Sequence, residues 1–258
     1  MRGILFSVGP INVYAYGFMV ATAVLFGIIY LSLRAKRKGL ATSEEILDLT
    51  INIILGGIIG ARVIFILTEL PVYLKDPLSM FKLSSGGLSF YGAILGAFIL
   101  GYRYARKAKL PTWELADEIV LFVPLGYSLA RVGCFLRGCC YGVPTTLPWA
   151  LKCAQDDLLR HPTQIYAIIA NLLIFLLLYR LRNHRNFPGF LFWLYIELYT
   201  VTRFIIEIFR DSQILAFGWL RTTQAVCFLI AGVVFFYLYR RLKSQDWEAK
   251  NDHQKING

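Results

Sequence analysis

Seven long, mostly apolar runs divide this chain, at roughly 13–33, 46–67, 86–104, 115–133, 163–181, 189–209 and 218–239. A helix needs about 20 such residues to cross the hydrocarbon core of a bilayer. Within that core every backbone N–H and C=O must find a partner inside the protein, which leaves helices and closed barrels as the only spanning structures. Runs this long and continuous select the helix. The chain is therefore read as an all-α integral membrane protein of about seven transmembrane helices. One integral domain covers residues 1–243. The polar segment 244–258 is read as a cytoplasmic tail without a fixed fold. With 57% hydrophobic and only 17% charged residues, the chain is too apolar for a soluble domain. The first run is too long and too tyrosine-rich for a cleaved signal peptide, and no small-residue cleavage site follows it, so it is read as a retained helix.

The net charge of +11 would suggest a nucleic-acid partner in a soluble protein. Its distribution points elsewhere. Connections on one side hold Arg34, Lys36, Arg37, Lys38, Arg103, Arg106, Lys107, Lys109, Arg180, Arg182 and Arg185, and the C-terminal segment adds Arg240, Arg241, Lys243, Lys250 and Lys255. These are 16 of the 27 basic residues. The positive-inside rule then places the N-terminus outside and the C-terminus in the cytoplasm. The excess charge is topological, with an affinity for anionic lipid. The outer connections are 68–85, 134–162 and 210–217. The longest, 134–162, contains Pro144 and Pro148 and is read as a small structured flap.

This topology gives every polar residue in the spans a depth. Tyr16, Arg62, Tyr91 and Arg131 fall in the outer half. So do His161, Thr163 and Gln164, then Arg203, Glu207 and Arg210, then Arg221 and Gln224. Ionisable groups inside spans are costly and mark functional sites. The pattern predicts a cationic cavity open to the outer leaflet. Guanidinium forks bind phosphate there, and the natural ligand is a phospholipid head group. Arg131 and Arg203 lie deeper than Arg62 and Arg221, which stand near helix ends and also suit a snorkelling role. Glu207, four residues after Arg203, shares its helix face. Transport would require polar residues through the midplane; their confinement to one half favours chemistry at the outer face. Gly56 with Gly60, and Gly92 with Gly96, have the spacing of close helix contacts.

The five cysteines are Cys134, Cys139, Cys140, Cys153 and Cys227. No CxxC pair and no Cys/His spacing reads as a metal set, and no cofactor is expected. Two readings stay open for the thiols near 134–153. Cys139 and Cys140 are buried small side chains or form a disulfide with Cys153. Alternatively Cys134, three residues from Arg131, lines the cavity.

The ordered motifs resemble those of the prolipoprotein diacylglyceryl transferase family over nearly the whole chain. They are "FSVGPINVYAYGFM", "GGIIGARVIFIL", "SGGLSFYGAILG", "ARVGCFLRGCCYG", "RHPTQIY" and "TRFIIEIFRD". The fourth is similar to the family signature Gly-Arg-x-Gly-Asn-Phe-x-Asn-Gly-Glu-x-x-Gly. The resemblance implies a multi-pass enzyme of the bacterial inner membrane. Such an enzyme moves diacylglycerol from phosphatidylglycerol to the lipobox cysteine thiol of a secreted prolipoprotein, and glycerol phosphate leaves. It also implies lipid binding by Arg131, an essential arginine at Arg203 with Glu207 beside it, and further functional positions at Tyr16 and Gly142. Arg62 and Arg210 fall on arginines of the matched motifs and join the substrate-binding set. Arg203, Tyr91 and His161 form the candidate catalytic set. His161 is the outer histidine, a base or a helix-start orienting residue; Tyr91 is read as a hydrogen-bond donor to lipid. The chain departs from the pattern at Tyr91 (often His), Cys134 and Arg137 (Asn), Cys139 (Glu) and Ala167 (commonly Glu). These departures touch the acceptor side more than the lipid side, so a transferase with another acceptor, or a phospholipid-binding or transport protein, stands as the alternative.

Overall fold

The computed structural model describes residues 4–8, 11–74, 87–153, 157–184, 186–211 and 221–256. Parts of all three predicted outer connections (75–85, 154–156 and 212–217), and the first residues of the predicted runs at 86–104 and 218–239, lie outside the described residues. The chain forms two compact units, one of residues 1–27 with 116–258 and one of residues 28–115.

Helix α1 (Ala15–Arg37) begins in the first unit and ends in the second. The second unit then holds α2 (Ser43–Thr68), the short α3 (Leu70–Tyr73) and α4 (Phe90–Lys107). Thr42 opens α2 with a capping box: its hydroxyl accepts from Glu45 N–H, and the Glu45 carboxylate accepts from Thr42 N–H at 2.8 Å. α2 and α4 pack on the paired glycines. A Cβ on Gly56 would lie 2.3 Å from the Gly96 carbonyl oxygen, and one on Gly60 would lie 2.3 Å from that of Gly92. Between apolar helices in lipid, van der Waals packing is the main attraction, and small residues let the backbones approach.

The first unit opens with an antiparallel hairpin, β1 (Ile4–Val8) and β2 (Ile11–Tyr14), which runs directly into α1. The remaining elements are α5 (Thr112–Val120), α6 (Val123–Arg137), the two-residue strands β3 (Leu151–Lys152) and β4 (Leu159–Arg160), α7 (Thr163–Leu181), α8 (Phe190–Ile208) and α9 (Thr222–Ile256). α6 packs on α7, α7 on α8, and α8 on α9. Pro near the N-terminus of α6 lacks the N–H that a continuing helix would need. The single run expected at 115–133 is accordingly broken, with α5 and α6 bent by 42°. The expectation of helix alone also omitted both hairpins, and the polar segment read as unfolded continues α9 as helical backbone to Ile256.

Among the described residues four helices (α1, α2, α7 and the first part of α9) are long and apolar enough to cross a membrane, and the bent α5–α6 pair makes a fifth candidate. Large side chains on them face outward, among them Phe228 at 71% and Val233 at 70% exposure. Such continuous apolar surface requires lipid around it. α4 and α8 have similar length, but each carries three charged residues: Arg103, Arg106 and Lys107 on α4, and Glu197, Arg203 and Glu207 on α8. The architecture is that of an all-helical integral membrane protein.

α8 is anchored at its start by Asp117 of α5, which is fully buried. Its two carboxylate oxygens accept from the N–H groups of Gly189 and Phe192, each at 3.0 Å. These are otherwise unpaired N–H groups at the positive end of the helix. This contact fixes the helix that carries Arg203, Glu207 and, just beyond its end, Arg210.

Candidate active site

The site begins at the end of α6. Gly138 takes a left-handed conformation, φ +73°, after the last helical residue, Arg137. Gly138 N–H then donates to Phe135 O at 2.9 Å, and Cys139 N–H donates to Cys134 O at 3.2 Å. This pair of bonds is a Schellman ending, which sets the side chain three residues inside the helix end against the one just beyond the glycine. Those side chains are Cys134 and Cys139. The next residue, Cys140, is also left-handed at φ +69°, an uncommon conformation for a residue with a Cβ. Two side chains from the start of α7 hold it there: Thr163 Oγ1 donates to Cys140 O at 2.6 Å, and Gln164 Nε2 donates to Cys139 O. The thiols of residues 134, 139 and 140 therefore converge, with all three sulfurs within 4.8 Å of one another. All five cysteines are free thiols, so of the two alternatives for Cys139 and Cys140 the structure has the small side chains and not the disulfide with Cys153. The left-handed glycine thus brings together three thiols whose spacing along the sequence matches no zinc motif.

Arg131 stands one turn before Cys134. Its Nε donates to the Tyr127 hydroxyl at 2.8 Å, its Nη2 reaches the same oxygen, and its guanidinium lies 4.8 Å over the Tyr127 ring. Tyr127 packs edge-on against Tyr199 of α8, with ring centres 5.5 Å apart. This aromatic support was not anticipated from the sequence; the signal was a tyrosine four residues before the arginine. Tyr16, 43% exposed, has Arg131 and the three thiols as its ionisable neighbours. The α1 backbone comes close here, as a Cβ on Gly133 would lie 2.9 Å from Tyr16 Cα.

The second group of arginines surrounds Glu207, which is 1% exposed. Arg203 Nη2 lies 2.7 Å from its Oε2 and Arg210 Nε lies 3.7 Å from the same atom. Arg221 Nη1 donates to the Glu207 backbone carbonyl. Arg210 pairs as a β-bridge with Gly142. A Cβ at Gly142 would lie 2.0 Å from the Phe209 carbonyl oxygen and 2.9 Å from His161 Cβ, so only glycine fits that crossing. Arg160, also not anticipated, locks the same point: its Nη1 donates to Gly142 O at 3.0 Å and to Asp211 Oδ2 at 3.2 Å.

Cys140 joins the two groups, since Arg210 and Arg131 both act on its thiol. That thiol is held down to about 5, first by its hydrogen bond with Cys134, then by Cys139 and the two arginines, against the opposing effect of burial. Cys139 is pushed up by burial and by its neighbour Cys140. Burial likewise raises Tyr141.

The remaining expected site residues are His161, which lies beside the Gly142 crossing, and Arg62 and Tyr91, which belong to the second compact unit. His161 is buried among aromatic groups: its Nδ1 lies 3.1 Å from the Tyr166 hydroxyl and its ring centre 5.0 Å from that of Phe209. Trp149 Nε1 donates to the same hydroxyl at 2.8 Å. These contacts are those of a residue that orients the flap. Arg62 and Tyr91 belong to the other compact unit. Arg62 is buried, donates to Gly87 O at 3.1 Å and lies 5.5 Å from the Tyr73 ring centre. Tyr91, near the start of α4, is 54% exposed.

Comparison with known proteins supplies the family. A family profile described as prolipoprotein diacylglyceryl transferase matches residues 3–240. A phosphatidylglycerol–prolipoprotein diacylglyceryl transferase of Clostridium tetani is 33% identical over 249 residues, covering 93% of this chain and 98% of its own. Proteins of the same name from Finegoldia magna and a Nostoc species are each 32% identical. The first covers 93% of this chain and 97% of its own, the second 92% and 90%. With the profile spanning almost the full length, the chain belongs to the prolipoprotein diacylglyceryl transferase family and is a transferase.

Proposed function

We propose that the Arg131, Cys140 and Arg210 region binds the phosphate of phosphatidylglycerol, and that the protein transfers its diacylglyceryl group to the lipobox cysteine of a secreted prolipoprotein. One observation carries this reading: Arg131 precedes Cys134 by one turn of α6, and Arg210, beyond the end of α8, is bridged to Gly142, so the two arginines flank the Cys140 turn. Two such forks match a phosphate's several oxygens. Arg203, paired with the buried Glu207, supports Arg210 from the same helix. In the reaction the acceptor sulfur attacks the glyceryl carbon, the bond from that carbon to the phosphate oxygen breaks, and glycerol phosphate leaves with the electron pair. Arginines beside that oxygen offset the charge that develops in the transition state. Tyr16 lies against the same group and suits a hydrogen bond to the lipid. His161 acts as a positioning residue for the flap. Tyr91 and Arg62 are kept as proposed lipid contacts on family resemblance, through the motifs that contain them.

The test is mass spectrometry of a lipobox peptide incubated with the protein and phosphatidylglycerol vesicles. A thioether-linked diacylglyceryl adduct is expected, and lipid binding without any adduct across several peptides would reduce the protein to a lipid binder. The proposed setting is the bacterial inner membrane with seven spans, the N-terminus outside and the site on the outer side. The basic residues of the predicted inner connections support this orientation. Reporter fusions at Lys38, Arg106 and Arg182 should therefore read as cytoplasmic, and a fusion near Asp156 as external. An external signal at Arg106 would reverse the orientation of the whole site.

A further inference from the structure

We propose that Cys134, Cys139 and Cys140 bind one thiophilic divalent cation of the Zn²⁺ class through three thiolates, and that its open fourth position receives the acceptor thiol. The second half of this statement rests on the transferase reading above; the first does not.

The geometry comes first. The three sulfurs lie within 4.8 Å of one another, and those of Cys139 and Cys140 are 3.6 Å apart. Thiolates bound to zinc at about 2.3 Å stand about 3.8–4.0 Å from each other. The trio therefore closes on an ion with small side-chain rotations and no change of backbone. The backbone is already fixed by the Schellman bonds, by the Thr163 hydroxyl on Cys140 O and by the Gln164 amide on Cys139 O. All three cysteines are free, and Cys134 is buried. A site whose ligands are held before the ion arrives loses little conformational entropy on binding.

Charge decides the class of ion and the occupancy of the fourth position. Arg131 and Arg137 lie on the last turns of α6 with Cys134, and Arg210 is bridged to Gly142, two residues beyond Cys140. Three arginines disfavour a bare cation but stabilise thiolates. Three thiolates around a divalent ion carry a net charge of −1, which the arginines then balance. Hard cations prefer oxygen ligands, whereas thiolates select the softer ions. Among the described residues only these three ligands converge, and Cys153 is not in the group. Three protein ligands with a free position are the arrangement of a reactive zinc site, as opposed to a closed structural one.

The chemistry suits the transfer. A thiol that enters the fourth position is deprotonated by the ion, and its proton goes to solvent. The bound thiolate sulfur then forms the carbon–sulfur bond, glycerol phosphate departs, and the neutral thioether, a poorer ligand, leaves the ion. Such a site would supply the thiol activation that His161 is badly placed to give, being buried against Tyr166 and Phe209.

Cobalt(II) added to the full-length detergent-solubilised protein, reduced and free of oxygen, reads the site directly. A sulfur-to-cobalt charge-transfer band saturating at one equivalent is expected, and it should shift when a lipobox peptide is added. The band should be lost in Cys139→Ala and in Cys140→Gly, the latter suited to φ +69° without strain, and kept in Cys153→Ser and Cys227→Ser. No band in the wild type, or one that survives both changes at the trio, overturns the metal site; an intramolecular disulfide found in its place under reducing buffer does the same. Adduct formation unaffected by chelation and by Cys140→Gly overturns the fourth-position role while leaving the transferase intact. A cobalt band with no adduct from any peptide, metal present, rejects the transferase reading and the thiol-activation role, and leaves the three-thiolate site standing.

Discussion

Arg203→Met removes the nearest cation from a carboxylate that is 1% exposed, and the protein loses about 3 kcal/mol of stability together with its transfer activity. The loss falls at the lower end of the range for a broken buried pair, because Arg210 remains 3.7 Å from Glu207. Stability and activity separate in the double change Arg203→Met with Glu207→Gln. Removing both charges relieves the carboxylate of its missing nearest cation, so the unfolding midpoint in detergent should recover most of the way. Adduct formation should not recover. A double variant with wild-type transfer would show that Arg203 only neutralises Glu207 and takes no part in the reaction.

The second large effect is expected at Arg131. Arg131→Lys keeps the charge but removes the fork that holds the Tyr127 hydroxyl and that we propose holds the lipid phosphate. Transfer should fall on the order of 10²–10³-fold, the usual cost of losing one preorganised donor to a developing anion. The unfolding midpoint should change little, since Tyr127 and Arg131 are both only half-buried. Tyr127→Phe keeps the ring under the guanidinium and removes only the hydroxyl, worth about 1 kcal/mol, so a fall of about fivefold is expected. Equal activity in Arg131→Lys and wild type would leave that side chain a diffuse electrostatic role.

Helix positions were legible because apolar runs of this length have one stable form in lipid. The run at 163–181 coincides with α7, and that at 189–209 brackets α8. The break at 121–122 was hidden because residues on both sides are equally apolar, and hydropathy does not register where backbone bonding lapses. The β1–β2 hairpin was hidden for the same reason, its residues being continuous in character with α1. Within the site, Arg131, Arg203, Glu207 and Arg210 were legible as costly charges in apolar surroundings. Their supports were not. Asp117 meets α8 more than 70 residues later in the chain, and Tyr127 is one aromatic among many. Convergence of the thiols depended on one backbone angle, at Gly138, which no spacing rule for metal sites includes.

That helix ending couples two positions of the motif that the chain shares with its family. In the signature that the chain resembles, Asn occupies the position of Cys134 and Glu that of Cys139. A Schellman ending makes these two positions neighbours whatever residues they carry. Replacing one alone would set a thiol against an amide or a carboxylate, with neither the original hydrogen bonding nor a sulfur partner. The two changes are thus expected to be epistatic, each tolerated best in the presence of the other. Reversion should follow the same rule: Cys134→Asn and Cys139→Glu made together on this backbone restore a polar pair at a ready-made contact, whereas either made alone creates a mismatch.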